Sequence, residues 1–104
     1  MKKVLKRPRF LLDLAEELTW LNDKAGPEVA EEWYQAVLQT IAFLARHPLA
    51  GRERKDLSPP GLRSWRVSGF PRWLIFYAAG PDDQVVLYRI RQGTMNLLVL
   101  KMRS

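Results

Sequence analysis

The sequence predicts one α+β domain spanning residues 1–104, with an N-terminal antiparallel helical hairpin packed on a small, mostly antiparallel β-sheet and a short C-terminal helix. Two long amphipathic patterns in the first half, separated by Gly26-Pro27, predict the hairpin. Three short runs rich in β-branched and aromatic residues, set between turn-forming clusters in the second half, predict the sheet. The chain is long enough to bury one modest core.

Each predicted helix has an apolar stripe at helical spacing. In the first helix the stripe consists of Phe10, Leu14, Leu18 and Leu21, and the acidic residues are expected on the opposite face. The second helix should begin at Pro27, since proline suits the first helical position, and run to Arg46. It ends at His47-Pro48, because the residue before a proline avoids the helical conformation.

The strands are expected in four short segments. Val4 and Leu5 form a candidate edge strand that stops at Pro8, and the basic stretch 49–61 is expected to be a loop. The three runs of the meander are residues 62–67, 73–78 and 85–92. Alternation in the last run predicts one face with Val86, Tyr88, Ile90 and Gln92, and the other with Val85, Leu87, Arg89 and Arg91. Thr94 is expected to cap the C-terminal helix.

Charge is unevenly distributed along this chain of net charge +6. Residues 1–9 hold five basic side chains and no acid, whereas residues 10–32 hold seven acids against Lys24 alone. This split favours a face that meets a polyanion or an acidic protein, although a solvated basic surface without a dedicated partner would have the same charge. The apolar runs are too short for a membrane span or a signal peptide, so we expect a cytoplasmic protein.

The residue inventory excludes several kinds of site. With one histidine and no cysteine, we expect no metal site, no thiol chemistry and no conventional catalytic triad. The glycines are scattered singly, so no nucleotide cofactor is expected. The remaining candidates for binding phosphate or carboxylate are Arg52, Arg54, Lys55, Arg63, Arg66, Arg89 and Arg91. The alternative is that these side chains merely solvate the outer face of the sheet. Trp65 and Trp73 could stack on bases, but packing is the favoured interpretation.

Four short motifs follow one another along the chain. A helix ends at a proline and a glycine, a Gly-x-Arg opens the sheet, an apolar strand ends in Phe-Tyr, and the last strand closes on a glycine. These pieces are Leu44 to Gly51, Gly61-Leu62-Arg63, Trp73-Leu74-Ile75-Phe76-Tyr77, and Arg89-Ile90 with Gly93. In this order they resemble the RelE/ParE family of toxins from type II toxin–antitoxin systems, over about residues 4–100.

The resemblance implies two competing activities. RelE-like members are ribosome-dependent messenger-RNA endoribonucleases, and ParE-like members inhibit DNA gyrase. The long hairpin with Pro27 at its turn is similar to the ParE branch, and Gln92 stands where many members carry a histidine. A nuclease could use Glu53 as base, Arg63 and Arg89 on the phosphate, and Tyr88 or Lys55 as acid. The favoured alternative is that Glu53 is a loop glutamate neutralised by Arg52 and Arg54. A third alternative, suggested by Gln92 and Thr94-Met95-Asn96, is an inactive relative that only binds an antitoxin.

The resemblance also implies a partner protein. Antitoxins of this family typically wrap an acidic segment over the basic surface of the toxin. Residues 1–9 and the arginines of the sheet would receive that segment here. DNA gyrase is the expected target, with the ribosome and messenger RNA as the alternative.

Overall fold

A computed structural model describes residues 3–82 and 84–93. Its elements, in chain order, are β1 (Lys3–Lys6), α1 (Pro8–Ala25), α2 (Pro27–Arg46), β2 (Arg52–Glu53), β3 (Arg63–Val67), β4 (Phe70–Ala79) and β5 (Gln84–Gln92). The strands form one sheet in the order β1-β5-β4-β3-β2, parallel between β1 and β5 and antiparallel elsewhere. The predicted α+β architecture is confirmed. The helix predicted from Thr94 lies outside the described residues.

The two helices are separated by a single residue. Gly26 has a φ of 94°, a value that glycine adopts readily, and its N–H donates to the Asn22 carbonyl at 3.1 Å. Pro27 then occupies the first position of α2, as predicted. At the other end of α2, His47 is the C-terminal cap. Neither helix of the described ranges is long and apolar enough to cross a membrane.

The main core lies between the hairpin and one face of the sheet. From α2, Trp33, Val37 and Leu44 are fully buried against strand residues that include Ile75 and Leu87. On the other face of the sheet a smaller cluster forms around Leu62 and Phe76. The segment between β2 and β3 supplies Leu57 to this second cluster, so the loop predicted at 49–61 covers part of the outer face. This loop also contains the two-residue edge strand β2, which the sequence did not predict.

The predicted faces of the last strand are wrong because β5 contains a bulge. Its pairing with β4 shifts from Phe76–Arg89 to Tyr77–Leu87, which leaves Tyr88 as the extra residue. An extra residue reverses the alternation beyond it. Leu87 and Ile90 therefore both lie in the core cluster, although they were assigned to opposite faces.

The expected position of the acids on α1 is also wrong in part. Asp13 is completely buried and Glu17 is 6% exposed, on the same side of the helix as Phe10 and Leu21. A carboxylate is buried only when it is paired and hydrogen-bonded. The partners of these two acids define the site described next.

Candidate functional site

Asp13 joins α1 to the arginine that was predicted as a binding residue on β5. Arg89 Nε donates to Asp13 Oδ2 at 2.5 Å and Arg89 Nη2 donates to Asp13 Oδ1 at 3.0 Å, a bidentate pair. Arg89 is only 3% exposed, so the guanidinium faces the protein interior. The backbone N–H of Ile90 also donates to Asp13 Oδ2, at 3.2 Å.

The backbone explains why a carboxylate is needed at this place. β1 pairs with β5 only as far as Leu87, whose carbonyl accepts the last bond of this edge from the Arg7 N–H at 3.1 Å. Pro8 then starts α1, which packs against β5. A helix has no spare backbone acceptors along its side, so the Asp13 side chain satisfies the N–H of Ile90 instead.

Arg91 connects the same carboxylate to two further acids of α1. Its Nη1 lies 3.5 Å from Asp13 Oδ1, 3.4 Å from Glu16 Oε1 and 3.9 Å from Glu17 Oε2. Glu17 in turn accepts hydrogen bonds from Trp73 Nε1 at 2.7 Å and from Gln92 Nε2 at 3.3 Å. Three carboxylates of α1 therefore surround two arginines of β5, and this set (Asp13, Glu16, Glu17, Arg89 and Arg91) is called the α1–β5 charge cluster below.

Arg54 is a second predicted binding residue with internal partners. It is 6% exposed, its Nε and Nη2 donate to the two carboxylate oxygens of Asp56 at 3.0 and 2.7 Å, and its Nη1 donates to Ser64 Oγ at 3.3 Å. The guanidinium also lies 5.8 Å from the ring centroid of Phe76. The hydrogen bond from Arg54 is the main reason that the pKa of Asp56 falls from 3.8 to about 2.

Arg63 and Tyr77 fix the segment that follows α2. Arg63 Nη1 donates to the carbonyls of Gly51 at 2.8 Å and Leu49 at 3.3 Å. The Tyr77 hydroxyl donates to the Pro48 carbonyl and accepts from the Gly51 N–H, both at 2.8 Å, and burial raises its pKa. A Cβ at Gly51 would lie 2.5 Å from that hydroxyl oxygen, so the close approach explains the glycine.

The other predicted residues lie at the surface or in the packing. Arg52, Glu53, Lys55 and Arg66 are exposed, and Arg66 Nη1 donates to the Pro71 carbonyl at 2.7 Å. Tyr88 is half-buried under the guanidinium of Arg7, 5.0 Å from the ring centroid.

The two candidate tryptophans differ in exposure but both pack. Trp73 is 6% exposed and contacts Trp33 edge-on, with 5.8 Å between the ring centroids. Trp65 is half-buried and stacks on Phe43, with 5.4 Å between the ring centroids.

The fold thus gathers Arg89 and Arg91 beside α1, whereas Arg52, Arg54, Lys55, Arg63 and Arg66 lie on β2, on β3 or in the loop between them. In the register of the sheet, Glu53 of β2 lies opposite Arg63 of β3. Arg89 lies on β5, on the far side of the intervening strand β4. Within residues 3–82 and 84–93, no group of three or more histidine, aspartate or glutamate side chains is arranged to hold a metal ion.

Sequence reasoning missed Asp13 and Glu17 because all the acids of the first helix were assigned to its solvent face. A signal was nevertheless present. Asp13 and Glu17 are four residues apart and fall between Phe10 and Leu21 on the apolar side of the helix. Acids within an apolar stripe require buried partners, and the arginines of β5 were the available ones.

Comparison with known proteins agrees with this architecture. Residues 4–97 match the family model described as the ParE toxin of the type II toxin–antitoxin system parDE. Among solved structures, a chain of the chromosomal ParDE TA system from P. aeruginosa superposes with a TM-score of 0.72 at 17% identity, covering 88% of this chain and 96% of that one. No curated protein matches the sequence. At that identity the structural likeness shows the fold alone, but the family match covers nearly the whole length, and the chain belongs to the ParE toxin family of type II toxin–antitoxin systems.

Proposed function

We propose that the chain acts in the cytoplasm as a toxin that inhibits DNA gyrase, and that a cognate antitoxin neutralises it. The observation that carries the choice of target is the match to the ParE toxin family over residues 4–97. The α1–β5 charge cluster adds an independent argument, because it bears on the alternative of a messenger-RNA nuclease.

Cleavage of RNA by its own 2′-hydroxyl needs a group that stabilises the phosphate and groups that move protons. Arg89, one of the two phosphate-binding cations of the hypothetical nuclease set, is 3% exposed and forms a bidentate pair with Asp13. Arg63 donates to two backbone carbonyls, and the amide of Gln92, which cannot titrate, donates to Glu17. These interactions favour gyrase inhibition over nuclease activity.

The antitoxin would bind with an acidic segment on the basic side chains that are exposed. On the described residues these include Arg52, Lys55 and Arg66 of the sheet half, and Lys3, Lys6 and Arg9 near the N-terminus. Such charges mainly accelerate association and select the partner. Arg89→Glu is unsuitable for testing this surface, because it would place a second carboxylate against Asp13 inside the protein.

Binding can instead be measured with Arg52→Glu and Arg66→Glu together. We expect the antitoxin to associate at least about tenfold more slowly at low salt with this variant than with the parent chain. Glu28→Gln, an exposed change on the acidic hairpin, is the control and should leave the association rate nearly unchanged. Equal rates for parent and double variant would exclude the sheet half as the antitoxin surface.

The target can be identified in living cells by pulse labelling of DNA and protein synthesis within minutes of induction without antitoxin. An early fall in DNA synthesis, with translation initially spared, supports gyrase. An early fall in translation supports the nuclease instead. If neither falls although the protein accumulates, the chain is an inactive relative that only binds its antitoxin.

A further inference from the structure

The outer side of α2 carries residues at the spacing by which two helices pack together. Five of them, Glu31, Gln35, Leu38, Ala42 and Ala45, are separated by four, three, four and three positions, the alternation at which positions a and d recur in paired helices. Leu49 follows in the turn three positions beyond the last residue of α2, and the six residues together are called the α2 seam. Leu38 is 36% exposed, and Leu49, just beyond the helix, is 67% exposed.

The end of the seam is held in a fixed position. The carbonyls on either side of the Leu49 side chain are engaged, since Pro48 accepts from Tyr77 at 2.8 Å and Leu49 accepts from Arg63 at 3.3 Å. An exposed apolar side chain on a fixed backbone loses little conformational entropy when a partner covers it.

The charges of α2 identify what the partner would be. Glu28, Glu31 and Glu32 lie in its first turns, and its single basic residue, Arg46, is the last, with all four side chains exposed. A second copy of the same helix running in the opposite direction would place each acidic end beside a basic end. The two helix dipoles would also be opposed favourably. A surface that complements itself in this way satisfies the requirement of a twofold interface.

The side-chain sizes fit the same arrangement. If the twofold axis passes near residue 40, Leu38 lies opposite Ala42 of the second copy and Gln35 lies opposite Ala45. Each large side chain then meets a small one, so the helices can approach closely. Arg46 comes within one helical turn of Glu31 of the second copy. We propose that two copies of this chain associate through the α2 seam in this antiparallel arrangement.

Because the seam is narrow, the dimer should be weak, with a dissociation constant in the micromolar range. Sedimentation velocity of the purified full chain over a concentration series should show a reversible monomer–dimer equilibrium. Leu38→Glu, which places a charge at the centre of the seam, should leave only monomer. Gln39→Glu is the matched control, because it adds the same charge to the adjacent exposed position outside the seam, and it should dimerise like the parent.

A charge exchange tests the direction of the helices and does not depend on the Leu38 variant folding. Glu31→Arg and Arg46→Glu should each weaken the dimer about tenfold, and the chain carrying both changes should recover most of the parent affinity. Circular dichroism confirms that each variant is folded. A parent chain that stays monomeric, a dimer that persists in folded Leu38→Glu, or no recovery in the double variant would each overturn the proposal.

Discussion

The two helices lie side by side on the same face of the sheet, yet they are attached to it by different physical means. The buried side of α2 is apolar where it meets the strands, with Trp33, Val37 and Leu44 fully buried. The buried side of α1 includes Asp13 and Glu17, which bind Arg89, Trp73 and the backbone of β5. Apolar contacts hold α2, whereas α1 combines the apolar contacts of Phe10 and Leu21 with charge and hydrogen bonds.

The difference shows that one hairpin can combine apolar contacts, which stabilise the fold, with polar contacts, which set the position of a helix. Apolar burial is favourable wherever complementary surfaces meet, but it defines orientation weakly. A buried ion pair adds little net stability because both charges lose water, whereas one left without its partner is very costly. The α1–β5 charge cluster therefore fixes where α1 can lie along β5, and its disruption should have effects out of proportion to its net contribution.

The largest effect is expected from Asp13→Ala. This change leaves the buried Arg89 without its bidentate partner and should lower the free energy of unfolding by about 3–5 kcal/mol. Urea denaturation measures the change. Glu16→Ala is the control: that side chain is 54% exposed and also contacts Arg91, and its loss should cost less than about 1 kcal/mol. Equal losses in the two variants would contradict the distinction between buried and exposed members of the cluster.

Replacing Asp13 and Arg89 together, by Leu and Met, sharpens the same test. Because no unpaired charge remains in the Asp13–Arg89 pair, we expect the double variant to be clearly more stable than Asp13→Ala. A double variant as unstable as the single one would mean that the pair contributes more than the avoidance of a buried lone charge.

Truncating a buried apolar side chain of α2 should lower the free energy of unfolding slightly less than Asp13→Ala does. Leu44→Ala removes a fully buried side chain from α2 and should destabilise the fold by about 2–5 kcal/mol, depending on how far the cavity collapses. Leu49→Ala removes the same atoms from a side chain that is 67% exposed and should change the urea midpoint very little. If the two variants unfolded alike, Leu44 would not be part of the core that holds α2.

Trp73 lies where the two modes of attachment meet. It contacts Trp33 of α2 at 5.8 Å and donates its indole N–H to Glu17 of α1 at 2.7 Å. Trp73→Phe keeps an aromatic ring but removes this donor, and should cost about 1–3 kcal/mol. Trp20→Phe, at a position 38% exposed, is the comparison variant and should be nearly neutral. A neutral Trp73→Phe would show that the remaining donors satisfy Glu17.

The smallest effect is expected at Asp56, an exposed counterpart of the buried carboxylates. Its pKa is lowered from 3.8 to about 2, mainly by the hydrogen bond from Arg54. Because the pKa of Asp56 is lower in the folded state, its contribution to stability is complete above about pH 3.8 and is lost as the pH falls toward 2. Titration followed by NMR should show the pKa of Asp56 rising toward 3.8 in Arg54→Met, but hardly moving in Arg52→Met. An unchanged pKa in Arg54→Met would contradict this assignment.

The sequence was sufficient for the architecture because periodicity and turn residues are local signals. The start of α2 at Pro27, the turn at Gly26-Pro27 and the end at His47 all appear where they were predicted. The bulge at Tyr88 was not predictable, since it depends on how β5 meets β4. The arginines of the sheet were identified as a group, but their roles depend on contacts between residues far apart in the chain. Arg89 and Asp13, separated by 76 positions, show this most clearly.

The most direct test of the proposed function is a supercoiling assay with purified DNA gyrase, relaxed plasmid and the purified chain. We expect a dose-dependent loss of supercoiling that is reversed when the cognate antitoxin is added first. In parallel, ribosomes translating a defined messenger RNA should leave that RNA intact in the presence of the chain. Normal supercoiling at every dose, together with cleavage of the messenger RNA on the ribosome, would contradict gyrase inhibition and establish the nuclease.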